Sequence, residues 1–279
     1  VLLIVFSVKG GIIIELKEHC EGGLIMKFDM HCHVKEGSID SKVSIDEYIT
    51  KLKENGFDGM LITDHDTYKG YRYWKYKMKG KVHEDFVVLK GIEYDTCDAG
   101  HILCIMPEGV KMRLLELRGM PVAVLIDFVH RHGGILGPAH PCGEKYMSFA
   151  HTKRYYHSPE VIKRFDFIEA FNACEPVCSN EGAEKLAQKY RKPGIAGSDS
   201  HKLECVGKAY TVFPEPVTCE TELISLIRRK VPIETGGTLY TKTTKERIGK
   251  ASKILPYSFW FYNKGGALLK RRKRRIKSE

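Results

Sequence analysis

Histidine and carboxylate residues recur where short β-rich runs of this chain end. Helix-like segments separate those runs, and this alternation predicts an α/β fold with mostly parallel strands covered by helices. The carboxyl ends of such strands form one face, so we expect these side chains to meet there. The clusters are His31-Cys-His33, Asp64-His65-Asp66, Glu93, His140 and Asp199-Ser-His201.

The His31-x-His33 spacing suits metal binding on a strand. Residues i and i+2 of a strand point to the same side, so both imidazoles can reach one metal while Cys32 faces the core. Asp199 and His201 repeat this arrangement. Imidazole and carboxylate together favour Zn, Mn or Fe over Mg or Ca alone. The pattern predicts a polynuclear metal site and a metal-dependent hydrolase.

A second His-x-His pair, His130 and His132, provides an internal comparison. It lies at the end of a predicted helix, where positions i and i+2 point in different directions. We therefore predict that this pair is on the surface and binds no metal.

The predicted elements alternate along the chain from residue 26. Ser44 is expected to cap one helix and Asn55-Gly56 to end it. Residues 67–85, 107–120 and 142–157 are expected to form loops or irregular insertions, where α/β enzymes hold their substrates. Predicted strands are 27–33, 59–63, 86–92, 101–106, 134–137, 167–171, 195–197 and 209–213, and predicted helices are 45–55, 122–132, 159–164, 181–190 and 220–229.

The net charge of +10 is concentrated at the end of the chain. Eight Lys or Arg residues and one acid follow from position 264, which gives +7 there and leaves the rest nearly neutral. A domain that is basic throughout and coats nucleic acid is therefore excluded. Residues 241–279 form an aromatic segment and a basic tail that either binds RNA, DNA or an anionic surface, or is simply solvated.

Nine cysteines, an odd number without framework spacing, indicate free thiols in a reducing compartment, and hence the cytoplasm. The Cys174 and Cys178 pair has no second pair to complete a metal site, so we interpret both as ordinary thiols.

The apolar run at residues 1–7 is too short to span a membrane and lacks a signal-peptide cleavage region. No transmembrane segment is expected. Glu21-Gly22-Gly23 shortly precedes Met26 and can be encoded by a bacterial ribosome-binding site. Residues 1–25 are therefore either translated leader, with the native protein starting at Met26, or a genuine short extension.

The order of the motifs resembles the PHP (polymerase and histidinol phosphatase) domain family over about residues 26–213. The motifs that carry the resemblance are His-x-His, Thr-Asp-His-Asp, Gly-Ile-Glu, Gly-His, Pro-Ala-His-Pro and Ser-Asp-Ser-His. The resemblance implies a distorted (β/α)7 barrel in residues 26–240, with two or three divalent metal ions at the carboxyl ends of the strands.

The resemblance also implies the ligand set, in which Glu93 would bridge two metals. One position stays open: family members carry a further Asp or His shortly after His-x-His, and both Asp40 and Glu36 are candidates here, with Asp40 preferred. The expected metal ligands are His31, His33, Asp40, His65, Glu93, His101, His140, Asp199 and His201.

Resemblance and chemistry together predict hydrolysis of a phosphate ester by a metal-activated hydroxide. Asp64 and His201 are the expected catalytic groups, with Asp64 orienting the imidazole of His65 or His31. Glu169 either orients a ligand in the same way or is an ordinary polar residue at a strand end. The candidate phosphate contacts on the long loops are Lys69, Arg72, Lys145 and Arg154.

Several substrates and one non-enzymatic role remain open. Nucleoside 3′,5′-bisphosphates and short RNA 5′ ends come first, because single-domain PHP members have similar motifs. Small metabolite phosphates such as histidinol phosphate come second, and phosphotyrosine comes third. A metal-binding PHP module without turnover is the alternative from another class, although the nearly complete ligand set argues against it.

Overall fold

The computed structural model describes residues 25–144 and 148–240, which form a mixed α/β fold around a curled sheet. The predicted elements are confirmed, most of them to within about two residues. The strands are β1 (Met26–Cys32), β2 (Gly59–Ile62), β3 (Val87–Asp95), β4 (His101–Ile105), β5 (Ile135–Pro138), β6 (Ile168–Asn172), β7 (Gly194–Gly197), β8 (Ala209–Phe213) and β9 (Glu234–Gly237). The α-helices are α1 (Ile45–Glu54), α2 (Lys69–Tyr73), α3 (Val122–Arg131), α4 (Lys153–His157), α5 (Val177–Tyr190) and α6 (Glu220–Arg229).

The sheet is less parallel than the sequence pattern predicts. Seven strands follow the order β5-β4-β3-β2-β1-β8-β9, and β6 and β7 form a second sheet. Pairing is parallel between β1 and β2, β2 and β3, and β6 and β7, but antiparallel at the four other pairings of the described strands. The expectation of mostly parallel strands was therefore wrong.

The short connection after β3 explains part of this difference. Residues 96–100 join β3 to β4, and a link this short permits only a hairpin, because a parallel crossover needs a dozen residues or more. As a result β4 starts at the edge where its parallel neighbours end. His101, the first residue of β4, therefore lies beside Asp95, the last residue of β3.

Backbone hydrogen bonds connect the two sheets on both sides. The amide of Asp166 donates to the carbonyl of Leu136 at 2.9 Å, and the amide of Asp199 donates to the carbonyl of His31 at 2.9 Å. A parallel bridge between Cys32 and Ser200 continues the second connection. These links bring the ends of β1, β5, β6 and β7 to one edge of the curled sheet.

Local sequence accounts for the helices that cover the sheet. Ser44 begins α1 with a capping box, in which its hydroxyl accepts from the amide of Glu47 and the Glu47 carboxylate accepts from the amide of Ser44. The buried face of α1 consists of Ile45, Tyr48, Ile49 and Leu52. Helix α5 starts at Val177, four residues before the predicted start, because Pro176 sets the extended backbone that precedes it.

The predicted insertions contain only short helical turns. Residues 67–85 hold α2 and a π-helical turn (Trp74–Met78), as an irregular helix was expected to do. Turns of 3₁₀-helix occupy Arg113–Glu116 and Phe149–His151 in the other two insertions. Outside the insertions, the predicted helix 159–164 is also a 3₁₀-helix (Pro159–Arg164), and a further 3₁₀ turn is at Leu203–Cys205. No helix among the described residues has the length and apolar character needed to cross a membrane.

Two predictions about single residue types are confirmed. His130 and His132 are exposed at the end of α3, where they contact Asp166 and the carbonyl of Phe128. The eight cysteines of the described residues form no disulfide with one another. The hypotheses about the leader, the aromatic segment and the basic tail fall almost entirely outside the described residues.

Candidate metal centre

Glu93 lies at the middle of a cluster of five histidines. Its carboxylate is 1% exposed, and β3 is an interior strand of the sheet, between β2 and β4. One oxygen, Oε2, lies 3.0–3.3 Å from nitrogens of His31, His33 and His65. The other, Oε1, lies 2.8 Å from His101 Nδ1 and 3.2 Å from His140 Nε2. A single carboxylate therefore joins ligand-type groups from β1, β4 and the loops after β2 and β5.

His31 and His33 converge on one point, as their spacing predicts. Their Nε2 atoms lie 3.1 Å apart, and both face Asp199 Oδ1, at 3.7 and 3.3 Å. Three groups of side chains have ligand atoms close enough to hold one metal ion each. These groups are His31, His33 and Asp199; His33, His65 and His201; and His65, Glu93 and His101.

Hydrogen bonds behind the imidazoles set which nitrogen faces the centre. A carboxylate accepts, so His31 Nδ1 must donate to Glu169 Oε1, at 2.9 Å. Ser38 donates its hydroxyl proton to Asp64 and therefore accepts from His33 Nδ1, at 3.3 Å. His201 Nδ1 donates to the carbonyl of Asp199 at 3.0 Å. In each ring the Nε2 lone pair is left for a cation, as is usual for metal-binding histidines.

Asp40 completes the outer side of the cluster. Its Oδ2 lies 3.5 Å from His65 Nε2 and 3.4 Å from His201 Nε2. Glu36, the competing candidate, instead accepts from the backbone amide of Ile45 at 3.2 Å. The geometry thus brings Asp40 to the histidines and directs Glu36 to the start of α1.

Three residues at the ends of β2, β5 and β7 have left-handed backbone conformations. Asp66, His140 and Asp199 have φ of 49°, 31° and 50°. Non-glycine residues adopt this region at a cost of about 1–3 kcal/mol, and such residues cluster at functional sites. Here each of the three residues either is a predicted metal ligand or stands next to one, in the segment that follows a strand.

Charges within the cluster shift the ionisation of its members. Burial alone would lower the pKa of His31, but the carboxylates of Glu169, Asp199 and Glu93 raise it well above its usual value. Burial would raise the pKa of Glu93, but His101, His65 and His31 hold it well below its usual range. The carboxylates thus stabilise positive charge in this pocket. A divalent cation and protons would compete for the same lone pairs.

Asp64 has different contacts from those that the sequence suggested. It accepts from the amide of Val34 at 3.0 Å and from the hydroxyl of Ser38 at 2.9 Å, and it packs against Gly37 and Gly70. It is therefore linked through Ser38 to His33, rather than directly to His65 or His31. Burial raises its pKa to about 7.

Sequence reasoning gave Asp29 no role, although it lies on the same predicted strand as His31 and His33. Its carboxylate accepts from the amide of Ser198 at 2.9 Å, from the Ser198 hydroxyl and from Tyr48 Oη at 3.3 Å. These bonds tie β1 to the segment that carries Asp199. Asp29 stands two residues before His31, on the same side of the strand, and this alternation was the signal that could have identified it.

Glu169 holds several groups of the cluster at once. Besides His31, it accepts from the backbone amide of His140 and from Asn172 Nδ2, the latter at 3.2 Å. It is fully buried at the side chain. The position of Glu169 agrees with the suggestion that it orients a ligand, and we treat it as a positioning residue.

We expect Glu169→Gln to weaken Mn²⁺ binding about 10-fold and Glu169→Ala about 100-fold, the range typical of groups that orient metal ligands. The amide can still accept from His31 Nδ1, whereas alanine leaves that nitrogen without an acceptor. Competition with a chromophoric chelator measures both affinities. Equal affinity of wild type and the alanine variant would show that Glu169 does not orient the site.

The four predicted phosphate-binding residues differ in whether a carboxylate already pairs with them. Arg72 pairs with Glu116 at 2.8 Å, and Arg154 Nε donates to Asp98 at 2.7 Å. Lys69 is exposed at the start of α2, and Lys145 lies outside the described residues. The sequence showed these cations on long loops, but the tertiary structure determines that two of them are held by carboxylates.

The donor set fits divalent metal ions. Glu93 Oε2 is fully buried and accepts no hydrogen bond of good geometry, although three imidazole nitrogens surround it. Such an oxygen is costly unless a cation compensates it. Imidazole and carboxylate together suit Zn, Mn or Fe. The residues that would hold the ions are those of the three groups, together with Asp40 and His140.

Comparison with known families agrees with this architecture. The sequence profile described as PHP domain matches residues 29–193, and the profile described as PHP-associated matches residues 178–232. The chain belongs to the PHP family. No curated protein matches it.

Solved structures of PHP-like proteins share the fold at low sequence identity. PsfC from Pseudomonas syringae PB-5123 is 15% identical, with a TM-score of 0.55 over 84% of this chain and 99% of that protein. Endonuclease Q, in complex with a 27-mer duplex substrate containing an abasic lesion, is 16% identical, with a TM-score of 0.59 over 82% of this chain and 67% of that protein.

A two-domain protein from Bacteroides vulgatus ATCC 8482, which contains a predicted PHP-like metal-dependent phosphoesterase, is also similar. It is 14% identical, with a TM-score of 0.51 over 78% of this chain and 66% of that protein. The chain thus spans about two thirds of the length of this protein. At these identities the likeness concerns the fold.

Proposed function

We propose that this protein is a metal-dependent phosphoesterase. The observation that carries the proposal is the convergence of five imidazoles on the buried carboxylate of Glu93, with Asp199 and Asp40 beside them. Family membership supports it, and so do the structural neighbours, which include an endonuclease and a protein with a predicted phosphoesterase domain. We further propose a distorted (β/α)7 barrel for residues 26–240.

The proposed metal ligands are the nine residues expected from the sequence, which would bind two or three Mn, Zn or Fe ions. When bound, such ions neutralise charge on phosphate oxygens and lower the pKa of water so that hydroxide is available near neutral pH. The chain itself keeps the imidazoles correctly oriented, through Glu169 behind His31 and through Asp64 and Ser38 behind His33.

His201 is, together with Asp64, a proposed catalytic group. Its side chain is 28% exposed, whereas those of His31 and His33 are fully buried. It therefore lies at the open side of the centre, where a substrate would approach, and its Nδ1 donates to the carbonyl of Asp199. Lys69 is a proposed phosphate contact, together with Lys145. Arg72 and Arg154 would bind phosphate through those guanidinium N–H groups that do not donate to Glu116 or Asp98.

We propose a nucleoside 3′,5′-bisphosphate or the 5′ end of a short RNA as substrate, with hydrolysis in the cytoplasm. The nucleic-acid complex of a neighbour with the same fold supports this class. A small metabolite phosphate is the second candidate, because the centre alone selects for phosphate and not for a base. A non-catalytic module is disfavoured, since the described residues keep the complete expected ligand set.

A panel of phosphate esters tests the function. We expect Mn²⁺-dependent hydrolysis of an aryl phosphate and faster hydrolysis of adenosine 3′,5′-bisphosphate, with both lost in His65→Ala. His83→Ala is the matched control, because His83 contacts Asp46 at 2.9 Å and no member of the cluster. Bound metal without turnover of any ester by wild type would favour the module instead.

A further inference from the structure

A surface cleft of about 410 Å³ begins at Lys35, two residues after His33. Its walls come from the loop after His33, from the start of α1 and from the chain around the π-helical turn. Lys35, Lys77 and Lys81 line it, together with Tyr73, Met78 and Val82. We refer to it as the lysine cleft. None of the residues that line it is a proposed metal ligand.

The lining of the lysine cleft carries three lysines and two acidic residues, and the chain beside it is basic. Residues 69–82 contain six Lys or Arg residues and no acid. The two acids that line the cleft have other partners, since Glu36 accepts from the amide of Ile45 and Asp46 contacts His83. Lys35, Lys77 and Lys81 form no ion pair with a carboxylate of the described residues, unlike the neighbouring Lys53, which pairs with Asp85 at 2.6 Å. The cleft therefore favours an anionic ligand.

Exposed aromatic rings accompany this charge. Trp74 is 3% exposed and anchors the π-helical turn in the core. Tyr73, which lines the cleft, is 44% exposed, and Tyr76, which lies on the turn next to the lining residue Lys77, is 63% exposed. A π-helical turn is rare and is found often at functional sites. Aromatic rings beside lysines form the kind of surface on which the bases of a single strand stack while its phosphates are neutralised.

The lysine cleft is close enough to the metal centre to serve the same ligand. Lys35 follows His33 by two residues, so their Cα atoms are at most about 7.6 Å apart. One nucleotide of an extended strand spans about this distance. A strand whose end lies at the metal centre can thus continue into the cleft.

We propose that the lysine cleft binds the part of a single-stranded nucleic acid that extends beyond the phosphate at the metal centre. This inference rests on the proposed phosphoesterase function and assigns its substrate class. It also defines the path of the strand over the surface, which runs from the cluster around Glu93 past Lys35 to Tyr73 and Lys77.

Binding of fluorescein-labelled decauridylate, measured by anisotropy in EDTA so that turnover does not interfere, tests the surface directly. We expect Lys77→Glu/Lys81→Glu to raise the Kd about 10-fold and to reduce the slope of log Kd against log salt by about 1.4. Lys185→Glu/Lys189→Glu, on exposed positions of α5, changes the net charge equally and is the control.

The tyrosines are tested in the same assay. We expect Tyr73→Ala/Tyr76→Ala to raise the Kd about 10-fold with little change in the salt slope, because stacking is lost rather than charge. Tyr156→Ala is the control, since Tyr156 is 82% exposed outside the cleft. Circular dichroism verifies that each variant is folded.

The outcomes separate this proposal from the proposed function. With Mn²⁺, the ratio of kcat/KM for decauridylate to that for an aryl phosphate should fall about 10-fold in the cleft variants. Variants that bind RNA like their controls would overturn the cleft proposal, whatever the activity. Loss of binding to phosphatidylserine vesicles but not to decauridylate would also overturn it. Weakened RNA binding without turnover by wild type would support the cleft and reject the phosphoesterase.

Discussion

Glu93→Gln is expected to lower metal-dependent phosphoesterase activity by about 1,000-fold, beyond the roughly 10- to 100-fold loss typical of residues that only orient ligands. The carboxylate faces five imidazoles, with both oxygens engaged. An amide has no negative charge and only one acceptor atom, so it would stabilise bound cations less well than the carboxylate. We therefore expect fewer bound metal ions per chain as well.

Metal analysis by mass spectrometry and turnover of an aryl phosphate measure the two effects together. Glu220→Gln is the matched control, because Glu220 is 3% exposed but accepts from the amide of Lys90 at 2.7 Å, which an amide oxygen can also do. Full metal content and activity in Glu93→Gln would refute the central role of this residue.

Gly197→Ala is expected to destabilise the fold by about 3 kcal/mol through overpacking. A Cβ at Gly197 would lie 2.2 Å from His31 Cβ and 2.6 Å from its backbone nitrogen, and neither atom can move without shifting β1. The melting temperature should fall by about 10 °C for a domain of this size. Because the clash involves His31, metal affinity should also decrease.

Thermal unfolding followed by circular dichroism, with and without Mn²⁺, measures these changes. Gly194→Ala on the same strand is the control, because its Cβ would meet only Ala170 Cβ, at 3.0 Å. If the two variants were equally stable and bound metal equally well, the close approach of β7 to His31 would not matter for the site.

Much of the candidate site could be predicted because its signals are local. A His-x-His pair at the end of a β-rich run needs only the alternation of a strand to bring both rings together. The capping box at Ser44 and the apolar face of α1 are likewise encoded within a few residues. The same local geometry correctly placed His130 and His132 on the surface.

Other features depend on residues that are far apart in the chain. The partner of His31 is Glu169, 138 residues away, and the group that links Asp64 to His33 is the hydroxyl of Ser38. Periodicity along the chain carries no information on such pairings. For the same reason, the sequence could not show that Arg72 and Arg154 are held by carboxylates.

By itself, then, the sequence determined the clusters of ligand-type residues and the strands and helices that carry them. Only the tertiary structure decided that Glu93 lies at their centre, that β4 runs antiparallel so that His101 reaches the same edge, and that Asp40 rather than Glu36 faces His65 and His201. The physical reason is that strand and helix patterns follow from neighbouring residues, whereas the contacts at the metal centre follow from how the curled sheet brings its strand ends together.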